Sequence, residues 1–132
     1  AGEEEGGGMI GLLKALLGMG GEQVGPREAV QRINRGAVLV DVREPGEFAA
    51  GHAADAVHLP LGRIRAQGAG ALDACSVPEG AEVLLVCQSG MRSRIAQSSL
   101  AKDARRRYVN VDGGMAAWAA SGLPVVRGGS AK

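Results

Sequence analysis

Aromatic side chains are nearly missing from this chain of 132 residues, which has one Phe, one Tyr and one Trp. The interior must be built from Val, Leu, Ile and Ala, and a surface that stacks nucleic-acid bases on rings is disfavoured. A surplus of charge is missing too: 15 Lys and Arg stand against 14 Asp and Glu, a net charge of +1. A binder that works by neutralising phosphates needs a larger basic excess, so no nucleic-acid partner is expected. Cysteine is scarce. Cys75 and Cys87 are too few for a disulfide framework or a four-ligand zinc site, and His52 and His58 add no tight ligand spacing. No metal and no cofactor are expected. Hydrophobic runs are short: Met9 to Met19 is apolar apart from Lys14, but a bilayer span needs about 20 residues, so no membrane span is expected.

What the chain does have is a globular balance of 45% hydrophobic and 22% charged residues, at a length that suits one domain. Its 22 glycines follow no three-residue period, which excludes collagen and leaves turns, helix ends and close backbone approaches. Residues 1–8 are almost all Gly and Glu and are expected to be a disordered leader. Residues 9–20 are expected to form a short apolar helix packing on the domain or on a second copy, which opens the way to a homodimer. A membrane or partner anchor is the alternative. Glu3, Glu4 and Glu5 precede this segment where a secretory signal would carry positive charge. A folded domain is expected over 21–127 and a flexible tail over 128–132.

From Gly21 onward helix and strand signals alternate. Pro26 opens a helix with Ala29, Val30 and Ile33 as its apolar stripe, closed by Gly36. Ala37 to Val40 reads as a short buried strand ending at Asp41. Pro45 starts a helical turn with Phe48 and Ala49 inward, and Ala56 to Leu59 is a second strand. A polar, Gly-rich connection from Gly62 to Gly80 has room for a helical turn around Ile64. Val83 to Val86 is the best candidate for a central parallel strand. A helix through Ile95, Ala96 and Leu100, a strand from Tyr108 to Val111 and a helix around Met115 to Ala120 complete the pattern. Gly122 and Pro124 stop the last helix. Such alternation predicts an α/β domain with a mainly parallel sheet.

In open α/β sheets ligands bind beyond the carboxyl ends of the strands, and Cys87 stands at the end of the best one. The stretch Cys87-Gln88-Ser89-Gly90-Met91-Arg92-Ser93 joins that strand to the next helix. Gly90 lets the backbone curl with positive φ so that successive N–H groups point inward, and the helix start adds its own unpaired N–H groups. The result is an anion cradle around a sulfur, which should hold the thiol below its free pKa of about 8.5. Arg92 supplies a fixed positive charge. The plain alternative is a small buried hydrophobe, the usual fate of a free cysteine.

Cys87 to Ser93 resembles the active loop of the rhodanese (sulfurtransferase) family: Cys, four residues, Arg, then Ser. Further resemblances follow in family order. They are Asp41-Val42-Arg43-Glu44 with Glu47-Phe48, then Gly51-His52, Asp112-Gly113-Gly114, Trp118 and Gly122-Leu123-Pro124-Val125. The resemblance implies a rhodanese-like fold, a five-stranded, mostly parallel sheet with helices on both faces. It also implies sulfane-sulfur transfer through a Cys87 persulfide, with a small sulfur donor (thiosulfate or a persulfide) and a thiol or protein acceptor. On this reading Cys87 is catalytic, Gln88 to Ser93 bind substrate, and Asp41 and Arg43 support the site. Phosphatases that share the fold have one more residue between Cys and Arg, so phosphate chemistry is not expected. The alternative is a partner-dependent sulfur carrier or binding module with little activity on small donors. The free thiol and the lack of a convincing export signal point to the cytoplasm.

Two positions depart from the family pattern. Gln88 stands where many thiosulfate-active members carry a basic residue, and Asp55 where the family usually has Gly. Arg43 is expected to pair with Asp41 or Glu47 and brace the loop, and His52 to be a hydrogen-bonded turn residue. Trp118 is expected to fill the core. Cys75 is read as incidental rather than resolving, and Arg105-Arg106-Arg107 as a solvated face.

Overall fold

The computed structural model of the chain describes residues 21–128. The expected leader over 1–8, the apolar helix over 9–20 with its dimer or anchor role, and residues 129–132 of the expected tail lie outside the described residues. The strands are β1 (Gln23–Val24), β2 (Val38–Asp41), β3 (Val57–His58), β4 (Glu82–Val86) and β5 (Arg107–Val111). They form one five-stranded sheet in the order β1-β5-β4-β2-β3, and every neighbouring pair is parallel. The helices are α1 (Pro26–Asn34), α2 (Pro45–Ala50), α3 (Leu61–Gln67), α4 (Ala69–Ala74), α5 (Met91–Ser99) and α6 (Gly114–Ala120). This is the α/β architecture the alternating pattern predicts, with the whole sheet parallel. Among the described residues no helix is long and apolar enough to cross a membrane.

Side chains on a strand point alternately to the two faces. In β4, Val83 and Leu85 join Ile64, Leu72 and Ala96 on the face covered by α3, α4 and α5. Leu84 and Val86 join Ala29, Phe48, Met115 and Trp118 under α1, α2 and α6. Burial on both faces is why Val83 to Val86 of β4 form an unbroken apolar run rather than an alternating one. Trp118 is buried as expected, and its indole N–H donates to Pro124 O at 3.1 Å.

Three expectations need correction. The connection from Gly62 to Gly80 holds two helices, not one turn, and buries Ile64, Ala71 and Leu72 completely. On α5, Ile95 does not share the inner face with Ala96 and Leu100; it is 37% exposed. Adjacent helix residues lie about 100° apart, so the face set by Ala96 and Leu100 takes Ser93 and Gln97 instead. Gln97 is tolerated there because its amide donates to Glu22 O and Tyr108 O.

The third correction concerns Arg106 within the arginine run, since Arg105 and Arg107 are exposed as expected. Arg106 is buried, bonded to Asp73, Asp103 and Val77 O, while Arg105 pairs with Asp73, Glu79 and Asp103. Arg107 pairs with Glu22 and Glu82. The run is thus a clamp at the amino end of the sheet. Cys75 caps α4 two residues after Asp73, at this same end, whereas Cys87 follows the carboxyl end of β4. A five-residue strand spans about 16 Å, well beyond the ~7 Å Cα separation a disulfide allows.

Candidate functional site

Cys87 leaves β4 with no exposed surface, and the chain reverses at Gly90, whose φ is 101°. That left-handed turn directs the Gly90 N–H to Cys87 Sγ at 3.1 Å. In the first turn of α5, the buried Ser93 hydroxyl donates to the same sulfur at 3.3 Å. Burial pushes the Cys87 thiol up. Hydrogen bonds from the Ser93 hydroxyl and from the Ser93, Gly90 and Ser89 N–H groups outweigh it and hold the thiol below its usual range. The sulfur is therefore an anion site made of dipoles.

Those N–H groups can face inward because the loop's carbonyls are held from outside. At the start of α6 the Met115 N–H donates to Cys87 O at 2.8 Å and the Ala116 N–H to Gln88 O at 3.1 Å. These are donors that the first turn of a helix leaves unpaired. The approach requires glycine. At Gly114, φ is +58°, and a Cβ would lie 2.6 Å from the Gln88 carbonyl carbon and closer still to Cys87 O. The Gly-Gly pair in the sequence thus has a physical reason: no side chain fits between α6 and the loop.

Two arginines flank the loop, and both are engaged. Arg43 is buried, with Nε and Nη2 on the fully buried Asp41 carboxylate at 3.0 and 2.8 Å and Nη2 also on Gly51 O at 2.7 Å. Its Nη1 donates to Gln88 Oε1 at 3.2 Å, so Arg43 braces the loop through the Gln88 side chain. Arg92 makes a bidentate pair with Glu47 in α2, at 2.6 and 2.8 Å. The guanidinium pulls the Glu47 carboxyl down to about 2, and Arg92 is raised in turn. Glu47 Oε1 also accepts from the Glu44 N–H at 3.1 Å, which fixes the carboxylate at the start of α2.

Phe48 lies between two imidazoles, His52 at 3.7 Å and His58 at 4.4 Å between ring centroids. The His52 Nδ1 sits 2.7 Å from Phe48 O, and the His58 Nε2 sits 2.8 Å from Arg43 O. Both histidines are tied to the backbone behind the loop. A cleft of about 490 Å³ lined by Arg32, Arg35, Arg107, Glu28 and Glu82 lies at the opposite end of the sheet. Within it Arg32 is committed to Glu22, Glu28 and Glu82.

The sequence matches the family profile of the rhodanese-like domain over residues 25–121. The chain belongs to the rhodanese-like family. It is 37% identical over 89 residues to a sulfurtransferase of Allochromatium vinosum, an overlap covering 67% of this chain and 78% of that protein. It is 33% identical over 107 residues to the thiosulfate sulfurtransferase GlpE of Actinobacillus pleuropneumoniae serotype 3, covering 78% of this chain and 91% of the relative. Among solved structures, a rhodanese-related protein from Thermoplasma volcanium superposes with a TM-score of 0.67 at 25% identity, covering 80% of this chain and 97% of that one.

In this rhodanese-like domain the residues singled out from the sequence converge only in part. Cys87, Ser89, Gly90 and Ser93 surround the sulfur, and Asp41, Arg43 and Gln88 form one bonded chain beside it. Met91 faces solvent, 64% exposed. Arg92 turns to Glu47 rather than standing free. Asp55 keeps an ordinary negative φ, so its turn needs no glycine. The sequence reading missed three contributors: Glu47 as the partner of Arg92, the α6 N–H groups behind the loop, and His58 behind Arg43. A Glu in the first turn of a helix and a Gly-Gly at a helix start were the available signals.

Proposed function

We propose that the chain is a sulfurtransferase that carries a sulfane sulfur on Cys87. The observation that carries this reading is a sulfur at a strand end that accepts a backbone N–H and a hydroxyl and is held below the ordinary thiol range. In the first half-reaction the Cys87 thiolate attacks the outer sulfur of a donor. With thiosulfate, the S–S bond of the donor breaks, sulfite leaves with its electron pair, and Cys87–S–S⁻ remains. With an alkyl persulfide, the thiolate of the donor leaves instead. In the second half, a thiol or protein acceptor, or cyanide in the assay, attacks the outer sulfur and returns the thiolate.

Charge is conserved in each half, and no general base is needed. The cradle of Ser89, Gly90 and Ser93 holds either anion, the thiolate before transfer or the persulfide after it. Asp41 and Arg43 keep Gln88 and the loop mouth in place, and the cytoplasm is the compartment that suits a free thiol.

Intact-mass spectrometry after incubation with thiosulfate, and separately with cysteine persulfide, tests the reading on wild type and Cys87→Ser. Gain of one sulfur by wild type alone, removed by cyanide, is the expected result. Full burial of Cys87 favours a second reading, a carrier whose loop opens only against a partner protein. Absence of loading from both small donors refutes the enzyme reading and leaves that one.

A further inference from the structure

The loop is built to hold an anion, yet the two guanidiniums that flank it, Arg43 and Arg92, are already paired with carboxylates. Arg43 spends its guanidinium on Asp41, Gly51 O and Gln88. Arg92 gives both terminal nitrogens to Glu47. Arg94, the next cation along α5, is directed away to the neutral Gln23 Oε1 at the edge strand β1. Glu44 adds a second carboxylate within the field of Arg92. At the rim Arg92 thus stands between the Glu47 and Glu44 carboxylates, Arg43 and Asp41 neutralise each other in the interior, and Gln88 brings no charge of its own.

Resting on the sulfurtransfer reading above, we propose that Glu47 is a specificity-determining residue. By holding Arg92 it turns donor selection away from the thiosulfate dianion and towards persulfides of lower charge. The reason is electrostatic. Backbone dipoles and a hydroxyl can hold the single charge of a thiolate or persulfide at Sγ. A dianion places a second charge at the rim, where a useful partner would be a free guanidinium offering two parallel N–H donors. Here that fork is filled from within the protein, and a dianion must either displace the Glu47 carboxylate or sit beside it. A persulfide has no sulfonate group to place there and loses nothing.

Glu47 lies 45 residues from Arg92 in the chain, on the far side of two strands, so the pair is a tertiary contact rather than a local one. Its 35% exposure on each side leaves it within reach of a donor entering past Gln88 and Ser89.

The test compares kcat/KM for thiosulfate and for cysteine persulfide, with cyanide as acceptor, in wild type, Glu47→Gln and the double variant Glu47→Gln, Arg92→Gln. Glu47→Gln should raise the thiosulfate-to-persulfide ratio about five- to tenfold, with the gain in the KM for thiosulfate and shrinking as salt is added. The double variant, which removes both charges together, should return to within about twofold of wild type.

A ratio in Glu47→Gln no higher than wild type overturns the proposal, as does a gain that survives in the double variant. Should Glu47→Gln alone fail to fold, the double variant decides. A clear fall in its thiosulfate selectivity would mean that Arg92 serves the dianion in the wild type, against the proposal. Failure of both donors to add sulfur to wild-type Cys87 overturns the sulfurtransfer reading itself, and is seen before any variant is compared.

Discussion

Gly114→Ala is the sharpest probe of how the reactive loop is held. The new methyl group would lie 2.6 Å from the Gln88 carbonyl carbon, so α6 and the loop must separate. The left-handed φ of +58° adds strain of ~1–2 kcal/mol for a residue with a Cβ. Separation also weakens the hydrogen bonds from the Met115 and Ala116 N–H groups, each contributing ~1 kcal/mol. The sum is ~3–4 kcal/mol, a fall in Tm of roughly 10–15 °C for a domain of this size. Gly122→Ala is the control. Its φ is +77° and nothing lies within 4 Å of the new Cβ, so only the backbone strain applies. Thermal melting of the two variants, with iodoacetamide alkylation of Cys87 at pH 7 as a second readout, separates the effects. Gly114→Ala should melt well below Gly122→Ala and alkylate several-fold more slowly than wild type. Melting of the two within about 2 °C of each other, with equal alkylation rates, would refute the idea that α6 holds the loop by close approach.

Other variants test neighbouring links. Ser93→Ala removes a donor to the sulfur, so the thiol pKa should rise and alkylation at pH 7 should fall about three- to tenfold, the rates converging above pH ~9. Asp41→Asn leaves Arg43 buried beside a neutral partner and should lower unfolding stability in urea by ~3–5 kcal/mol. The Glu47 carboxyl, lowered from 4.5 to about 2, binds its proton less readily folded than unfolded, so the pair stabilises above the unfolded value and that gain is lost as pH falls towards 2. The Tm difference between wild type and Glu47→Gln should therefore hold from neutral pH down to pH ~5 and vanish at strongly acid pH. Cys75→Ser should load sulfur at the wild-type rate in the intact-mass assay, because Cys75 sits at the other end of the sheet.

The features legible in the sequence are those whose physics is local. β4 announces itself because a strand buried on both faces is a continuous apolar run, and Pro26, Pro45 and Gly90 mark element boundaries through backbone restriction alone. β1 escaped because two residues make no pattern; its place comes from pairing with β5. α4 escaped because Ala-Gly-Ala-Leu-Asp-Ala carries no capping signal, and packing on α3 stabilises it instead. Long-range polar pairing was hidden most deeply. Nothing local says that Arg106 is buried on Asp73, or that Arg92 reaches Glu47 across the chain. For Arg92 and Arg106 residue type suggested charge that is free, whereas the fold supplies partners; only the Arg43–Asp41 pair, two residues apart, was legible.

The dependence of the loop on α6 bears on how the protein is born. Synthesis delivers Cys87 before Gly114–Ala120, and until that helix docks the Cys87 and Gln88 carbonyls lack their Met115 and Ala116 donors. The thiol of a nascent chain then lacks the settled hydrogen bonds that lower its pKa. The arrangement that lowers the thiol pKa therefore depends on a helix made after the loop itself. A chain that stops short of α6 carries Cys87 without the hydrogen bonds that hold its loop in place.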